Sequence, residues 1–457
     1  MNHYPRYPKY KDSGVEWLGQ VPEHWEIARI KRVASLRAER CTNVPEGWQY
    51  VGLEDVEPGT GRFHPTDSDS RQKEDSTVGV FRPGDVLYGK LRPYLKKTIV
   101  GDSDGVCSTE FLVLQPKSVM AQWLHQWLLT TEVTQQIEAG CEGTKMPRAD
   151  WEHIGSIPVP YPSLSEQGET IAALDRETSR IDALIAKKTR FIELLQEKRA
   201  ALITHVVTKG LDPEVKMKDS GVEWIGEIPD HWQIVQLGKI ASARCDGPFG
   251  SGLKSEHYQP SGVRVIRLQN IGWATFKDDD SAFISHEHWR EVLGSGHAVL
   301  PNDVLIAGLG DENNLLGRAC VAPSTLGEAI VKADCYRFRL HEDKAFATFV
   351  ALSLSATARA ECGYMAVGAT RDRLTLGLAS IRRIPLPPLD EQVQIMGVLE
   401  RASTRIDMLT KRIERSIDLL KERRSALITA VVTGKIDVRG WVPNAMPKTH
   451  DLKGANT

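Results

Sequence analysis

Lys11 to Ser35 reads KDSGVEWLGQVPEHWEIARIKRVAS, and Lys218 to Ser242 reads KDSGVEWIGEIPDHWQIVQLGKIAS. The two align without a gap at an offset of 207 residues. Trp17/Trp224, Pro22/Pro229, His24/His231 and Trp25/Trp232 are identical pairs, and most other differences are conservative. Repeated segments decide architecture before any propensity does. A second repeat follows each copy. Glu166 to Thr208 reads EQGETIAALDRETSRIDALIAKKTRFIELLQEKRAALITHVVT, and Glu391 to Thr433 reads EQVQIMGVLERASTRIDMLTKRIERSIDLLKERRSALITAVVT, at an offset of 225. A proline-rich approach precedes each, IPVPYPSLS from Ile157 and IPLPPLD from Ile384. The chain therefore runs A–x–B–A–y–B. The inserts x (36–156) and y (243–383) share little sequence. Drift erodes frames and inserts alike, so two frames kept around two different inserts imply one scaffold with two specificities.

The B segments predict long helices. Apolar residues fall at Ile171, Leu174, Ile181, Ile185, Ile192, Leu195, Leu202 and Val206, and again at Met396, Leu399, Ile406, Ile413, Ile417, Leu420, Leu427 and Val431. Steps of three, four and seven form a coiled-coil seam. Ile181, Ile192, Leu195, Leu202, Ile406, Ile417, Leu420 and Leu427 are the expected packing positions. Ser165 and Asp390 suit N-caps, and Gly210 and Gly434 suit helix ends. A 43-residue helix extends about 64 Å at ~1.5 Å per residue. Two such helices in one chain pack most simply on each other. An antiparallel pair would give pseudo-two-fold symmetry, with the inserts at opposite ends. Basic runs such as Lys187, Lys188, Arg190, Lys198 and Arg199 read first as a solvated face.

The inserts predict α/β domains. Strand-like runs begin at Asp85, Phe111, Val263 and Asp303, and helices are expected near Ala121 to Ala139 and Ala345 to Glu361. Glycine-containing basic loops follow, Gly143-Thr-Lys-Met-Pro-Arg148 and Gly368-Ala-Thr-Arg-Asp-Arg373. Glycine lets a backbone approach phosphate, and Lys or Arg can hold phosphate or read guanine edges. Lys90, Arg92, Tyr94, Lys96, Lys97, Lys145 and Arg148 are the candidate DNA contacts in x. Lys254, Arg267, Asn270, Arg371 and Arg373 are those in y. For any one of them, a solvated surface charge is the competing reading.

Composition narrows the class. The 457 residues suit two to four units, with 41% hydrophobic and 26% charged residues. No apolar run reaches membrane-spanning length, so no membrane role is expected. The polar start, Met1 to Lys11, is unlike a secretory leader, and a cytoplasmic location is the expectation. Cys41, Cys107, Cys141, Cys245, Cys320, Cys335 and Cys362 are scattered and odd in number, which suits reduced thiols rather than disulfides or zinc. The net charge of −2, from 58 basic and 60 acidic residues, is low for a protein gripping DNA alone, because non-specific affinity comes from neutralised phosphates.

Catalytic signatures are missing. No G-x-x-x-x-G-K-[ST] loop occurs. Leu386-Pro-Pro-Leu lacks the acid or amide and the ring of an amino-methyltransferase motif, and Gly247-Pro-Phe-Gly-Ser-Gly252 does not fit G-x-G-x-x-G. His286-Glu-His288 has poor spacing for a metal on one helix face.

These frames resemble the DNA-specificity subunit of Type I restriction-modification systems along nearly the whole chain. The resemblance is carried by Gly-Val-Glu-Trp-(Leu/Ile)-Gly, Pro-(Glu/Asp)-His-Trp, Glu166-Gln167 and Glu391-Gln392, Ala201-Leu-Ile-Thr204 and Ala426-Leu-Ile-Thr429. Asp246-Gly-Pro-Phe-Gly-Ser-Gly-Leu-Lys254 is similar to the start of many of that family's recognition domains. The resemblance implies an α/β fold, with two target-recognition domains separated by two long antiparallel coiled-coil helices. It implies the division 1–164 recognition domain, 165–210 spacer helix, 211–389 recognition domain, 390–435 spacer helix and 436–457 polar tail. It further implies a non-catalytic chain that reads a bipartite, gapped target in double-stranded DNA. Two modification (methyltransferase) subunits would dock on the helices, and restriction (translocase/nuclease) subunits would join that core. No cofactor is expected here; methyl donor, ATP and Mg would sit on partners. A stand-alone DNA-binding protein with duplicated readers is the alternative, and a cryptic methyltransferase a third reading.

Overall fold

The computed structural model describes residues 4–65, 77–141, 146–249, 252–311, 313–365 and 372–440. It forms two compact units, Met1–Thr189 with Glu414–Thr457, and Arg190–Ile413. The units do not end where the helices begin. Each includes one half of each long helix, Leu164–Lys209 and Leu389–Val432, of 46 and 44 residues.

Both units are built on one plan. In the first, a sheet runs in the order Ala34–Leu36, Phe111–Pro116, Val86–Gly89, Thr98–Val100, all antiparallel. In the second, Ala241–Cys245, Cys335–Leu340, Val304–Ala307 and Ala319–Val321 repeat that order and sense. The helices Ala121–Leu128 and Ala347–Met365 pack in their respective cores. The expected helix Ala121 to Ala139 is broken, resuming at Thr131–Ala139. Thr130 is extended at ψ 148° and turns its hydroxyl back to the Trp127 carbonyl, the local competition that Thr offers a helix. The further sheets diverge. The first unit has four strands, Arg40–Cys41, Val78–Phe81, Gly105–Cys107 and Gln49–Val51, and the second has five; each retains one parallel pair, Gln49–Val51 with Gly105–Cys107 and Val263–Ile266 with Ala329–Val331.

The proline-rich approaches are strands. Pro158–Tyr161 pairs with Glu26–Arg29, and Arg383–Leu386 with Gln233–Gln236. Proline has no N–H to give a ladder. The Ile30 N–H bonds to the Ile157 carbonyl, which places Pro158 and Pro160 at positions where no ladder bond is made. The Leu237 to Arg382 bond does the same for Pro385.

The A frames clamp helix ends. In the first unit the Trp25 indole donates to Glu166 Oε1 at 3.1 Å and His24 Nε2 lies 2.9 Å from Glu166 Oε2. In the second, Trp232 donates to Glu391 Oε1 at 3.1 Å and His231 Nε2 lies 2.8 Å from Oε2. The neighbouring glutamines complete the joint. Gln167 accepts from the Met120 N–H and donates to the Pro162 carbonyl. Gln392 accepts from the Phe346 N–H and donates to the Pro387 carbonyl. The same frame meets the end of the other helix. Gly434 has φ 72°, and a Cβ there would lie 2.3 Å from Pro22. Gly210, at φ 80°, sits against Trp232 and Pro229. Glycine ends each helix because the backbone there is left-handed, and at Gly434 the wall of Pro22 and Trp25 also leaves no room for a side chain. Trp25 and Trp232 are fully buried, and truncating such a side chain costs about 3–5 kcal/mol. At the first helix start Ser163, rather than the expected Ser165, accepts the Glu166 N–H. Asp390 lies in the first turn, where its charge favours the helix dipole.

Candidate nucleic-acid interface

In the first unit the candidates cluster after the buried strand Val86–Gly89. The Lys90 N–H donates to the Glu110 carbonyl, Ala149 N–H donates to the Lys90 carbonyl, and Leu91 bridges Arg148. Arg92 and Lys96 bracket the turn Pro93–Leu95 with left-handed φ of 53° and 50°. Arg92 and Tyr94 are exposed and Lys90 is half-buried. The two following lysines are occupied by the protein itself. Lys96 Nζ donates to Thr131 Oγ1 at 2.8 Å, and burial lowers its pKa. Lys97 Nζ donates to the Leu53 carbonyl at 2.6 Å. Arg148 is more than half exposed and holds Glu110 Oε1 at 2.9 Å. Lys145 lies outside the described residues.

The second unit has the same geometry with different side chains. Gly308 N–H donates to the Asp334 carbonyl, Leu374 N–H to the Gly308 carbonyl, and Leu309 bridges Arg373. Arg373 Nη2 sits 2.7 Å from Asp334 Oδ1, and its guanidinium lies 5.6 Å from the Phe249 ring centre. Lys254 is exposed beside Glu256. Arg267 is half-buried and paired with Asp280. Asn270 is a correction: it is fully buried, donates to the Lys277 and Asp280 carbonyls and accepts from the Arg267 N–H. Its amide closes a loop and has no edge left for a base. Arg371 lies outside the described residues.

Sequence reasoning missed Glu110, Asp334 and Asp246. Asp246 Oδ1 accepts the Gly247 and Asp334 N–H groups. Asp334 is itself left-handed at φ 65°, a conformation Asp tolerates. A Cβ on Gly247 would lie 2.0 Å from the Lys332 carbonyl carbon, so only glycine lets the two loops meet. Burial pushes the Asp246 carboxyl up to about 6. The signal available in sequence was an acid immediately before a buried strand in both inserts, Glu110-Phe111 and Asp334-Cys335.

On the helices the expected seam is covered. Ile181, Leu195, Ile406, Ile417 and Leu427 are buried, and Ile192, Leu202 and Leu420 are half-buried. Bonds within each unit show antiparallel packing. In the first, Asp182 pairs with Arg424 while Glu166 pairs with Arg439 beyond the helix end. In the second, Arg199 pairs with Asp407 while Gly210 lies beside Glu391. Large apolar side chains remain outward, Leu184 and Leu419 in the first unit and Phe191, Leu194 and Met408 in the second. Among the described residues no group of three or more His, Cys, Asp or Glu is placed to hold a metal. No described helix is long and apolar enough to cross a membrane. Burial pushes the Cys107 and Cys320 thiols up to about 12, which keeps them protonated and unreactive at neutral pH.

Comparison with known proteins agrees with the doubled frames. No protein-family model matches the chain. It is 23% identical over 454 residues to the Type I restriction enzyme MjaVIII specificity subunit of Methanocaldococcus jannaschii, across 94% of this chain and 97% of that protein. It is 24% identical over 190 residues to the EcoDI specificity subunit of Escherichia coli, across 40% of this chain and 43% of that protein. Among solved structures, a chain from a study of Type I R-M complex assembly and conformational transition matches with TM-score 0.65 and 19% identity, over 92% of this chain and 99% of that one. The HsdS subunit from Thermoanaerobacter tengcongensis matches with TM-score 0.50 and 19% identity, over 91% and 98%. The curated relatives are Type I restriction enzyme specificity subunits, as the frames indicated. The mixed α/β fold with two long helices is the HsdS fold.

Proposed function

We propose that this chain is the DNA-specificity subunit of a Type I restriction-modification complex. Each α/β unit reads one half of a gapped target in double-stranded DNA. The outward apolar side chains of the long helices, Leu184, Phe191, Leu194, Met408 and Leu419, dock two modification subunits, and restriction subunits join that core. Methyl donor, ATP and Mg belong to the partners, and the chain itself performs no chemistry. The carrying observation is similarity to a specificity subunit over 94% of this chain and 97% of the relative, spanning both repeats. The different strand numbers of the two further sheets, four and five, support two different half-sites on one scaffold.

The test is co-expression with the modification subunit and mapping of methylated adenines by long-read sequencing. A two-part motif with a fixed gap, lost when this chain is omitted, is the expected result. Methylation that is unchanged without the chain defeats the reading and favours a stand-alone DNA-binding protein.

A further inference from the structure

We infer that Arg148 and Arg373 are equivalent base-reading residues, one in each unit, and that Glu110 and Asp334 are their positioning residues. The inference rests on the specificity reading above. The inserts share little sequence, yet each places an arginine in the same frame. Arg148 stands three residues before the helix that starts at Trp151, and Arg373 three before the one that starts at Leu376. Each arginine bridges the second residue after a buried strand, Leu91 after Gly89 and Leu309 after Ala307. Each holds an acid that immediately precedes another buried strand, at 2.9 and 2.7 Å. In both pairs the arginine is the outer member, 56% and 43% exposed against 26% and 20% for the acid.

That arrangement favours a base edge over a phosphate. A guanidinium beside a carboxylate contributes almost no net charge, so it gains little from releasing phosphate counterions. The outward N–H groups of its fork stay available to a base edge, while the acid anchors one Nη of each guanidinium. Guanine O6 and N7 are the commonest partners of such a fork in the major groove. In the second unit the supports are denser. Asp246 accepts the Asp334 N–H, and the Phe249 ring lies against the Arg373 guanidinium. The Asp246-Gly-Pro-Phe249 stretch thus serves Arg373 rather than touching DNA through its own polar groups.

The experiment uses the full chain co-expressed with its modification subunit and reads the methylated motif. Arg148→Ala should make one G·C position of one half-site degenerate and leave the other half intact; Arg373→Ala should do the converse. Preference at that position should fall by about 5- to 150-fold, which is ~1–3 kcal/mol for a bidentate contact. Arg148→Lys and Arg373→Lys, which keep the charge and lose the fork, should give the same degeneracy in a folded protein. Glu110→Gln and Asp334→Asn should weaken the same position without touching any other. If the variants lower methylation equally at all sites with the motif unchanged, the arginines hold phosphate or structure, and the inference fails alone. If the unaltered chain yields no two-part motif, the specificity reading fails first.

Discussion

Asp246 has both carboxylate-to-backbone bonds and a surrounding of charged and polar groups, with Asp334, Arg373, Tyr336 and Cys335 all close enough to feel its charge. Burial dominates and raises its pKa to about 6, against about 3.9 for an exposed Asp. Between those values the folded chain holds the proton more tightly than the unfolded chain does. This stabilising contribution is therefore full below about pH 4 and lost as pH rises through about 6. Asp246→Asn keeps an oxygen for the two N–H groups and removes the titration. In paired melting curves from pH 4 to pH 8, the variant should gain on the parent as pH rises through 6 and then run parallel to it. A constant difference across the range would mean that Asp246 is not titrating there. The same residue shows why function was only partly legible. Asp246 to Lys254 resembles the start of a recognition domain and ends on a candidate DNA contact, yet its Gly247 is needed for contact with the Lys332 backbone. Asn270 has the right chemistry for adenine and is consumed by its own loop. Residue type carries the chemistry, and only burial decides whether it is free.

At the scale of elements the two long helices were the most legible part of the chain. A seam of period three, four and seven survives any local accident of propensity. The contacts that hold these helices to their units left no such trace. Trp25 and Glu166 are 141 residues apart, and no periodicity links them, although both motifs were visible as repeats. The helix pair also has repeated ion pairs. Asp182–Arg424 and Arg199–Asp407 are the same contact shifted by the 225-residue offset. Their surroundings differ. Asp182 is 16% exposed and also holds Arg62 from the first insert, whereas Asp407 is 52% exposed and, among the described residues, pairs with Arg199 alone. Asp182→Asn should therefore cost about 1.5–3 kcal/mol, the range for hydrogen bonds to charged groups. Asp407→Asn should cost under about 1 kcal/mol, as exposed pairs do. Differential scanning calorimetry of the full chain orders the two. Equal losses would show that burial does not set the strength of this repeated bond.

Taken over the whole molecule, the charge of −2 is matched by how the arginines are used. Arg37, Arg148, Arg264, Arg267, Arg339 and Arg373 each face a carboxylate of the same unit. Pairing of this kind takes these arginines out of the cations that can displace counterions from a duplex. The isolated chain should therefore bind random-sequence DNA weakly, with a dissociation constant near ~10⁻⁴ M at physiological salt, the weak end of non-specific binding. Its log affinity should fall with log salt at a slope corresponding to no more than about three phosphates, at roughly 0.9 per phosphate. The assembly with its modification subunit should bind more tightly and with a steeper slope, because partner surfaces supply the cations this chain lacks. Fluorescence anisotropy of a labelled random duplex, titrated at several salt concentrations with and without the partner, measures both. Should the chain alone bind in the nanomolar range with a slope of six or more phosphates, it needs no partner to grip DNA. The stand-alone reading would then displace the subunit reading, and the outward apolar residues of the helices would need another explanation.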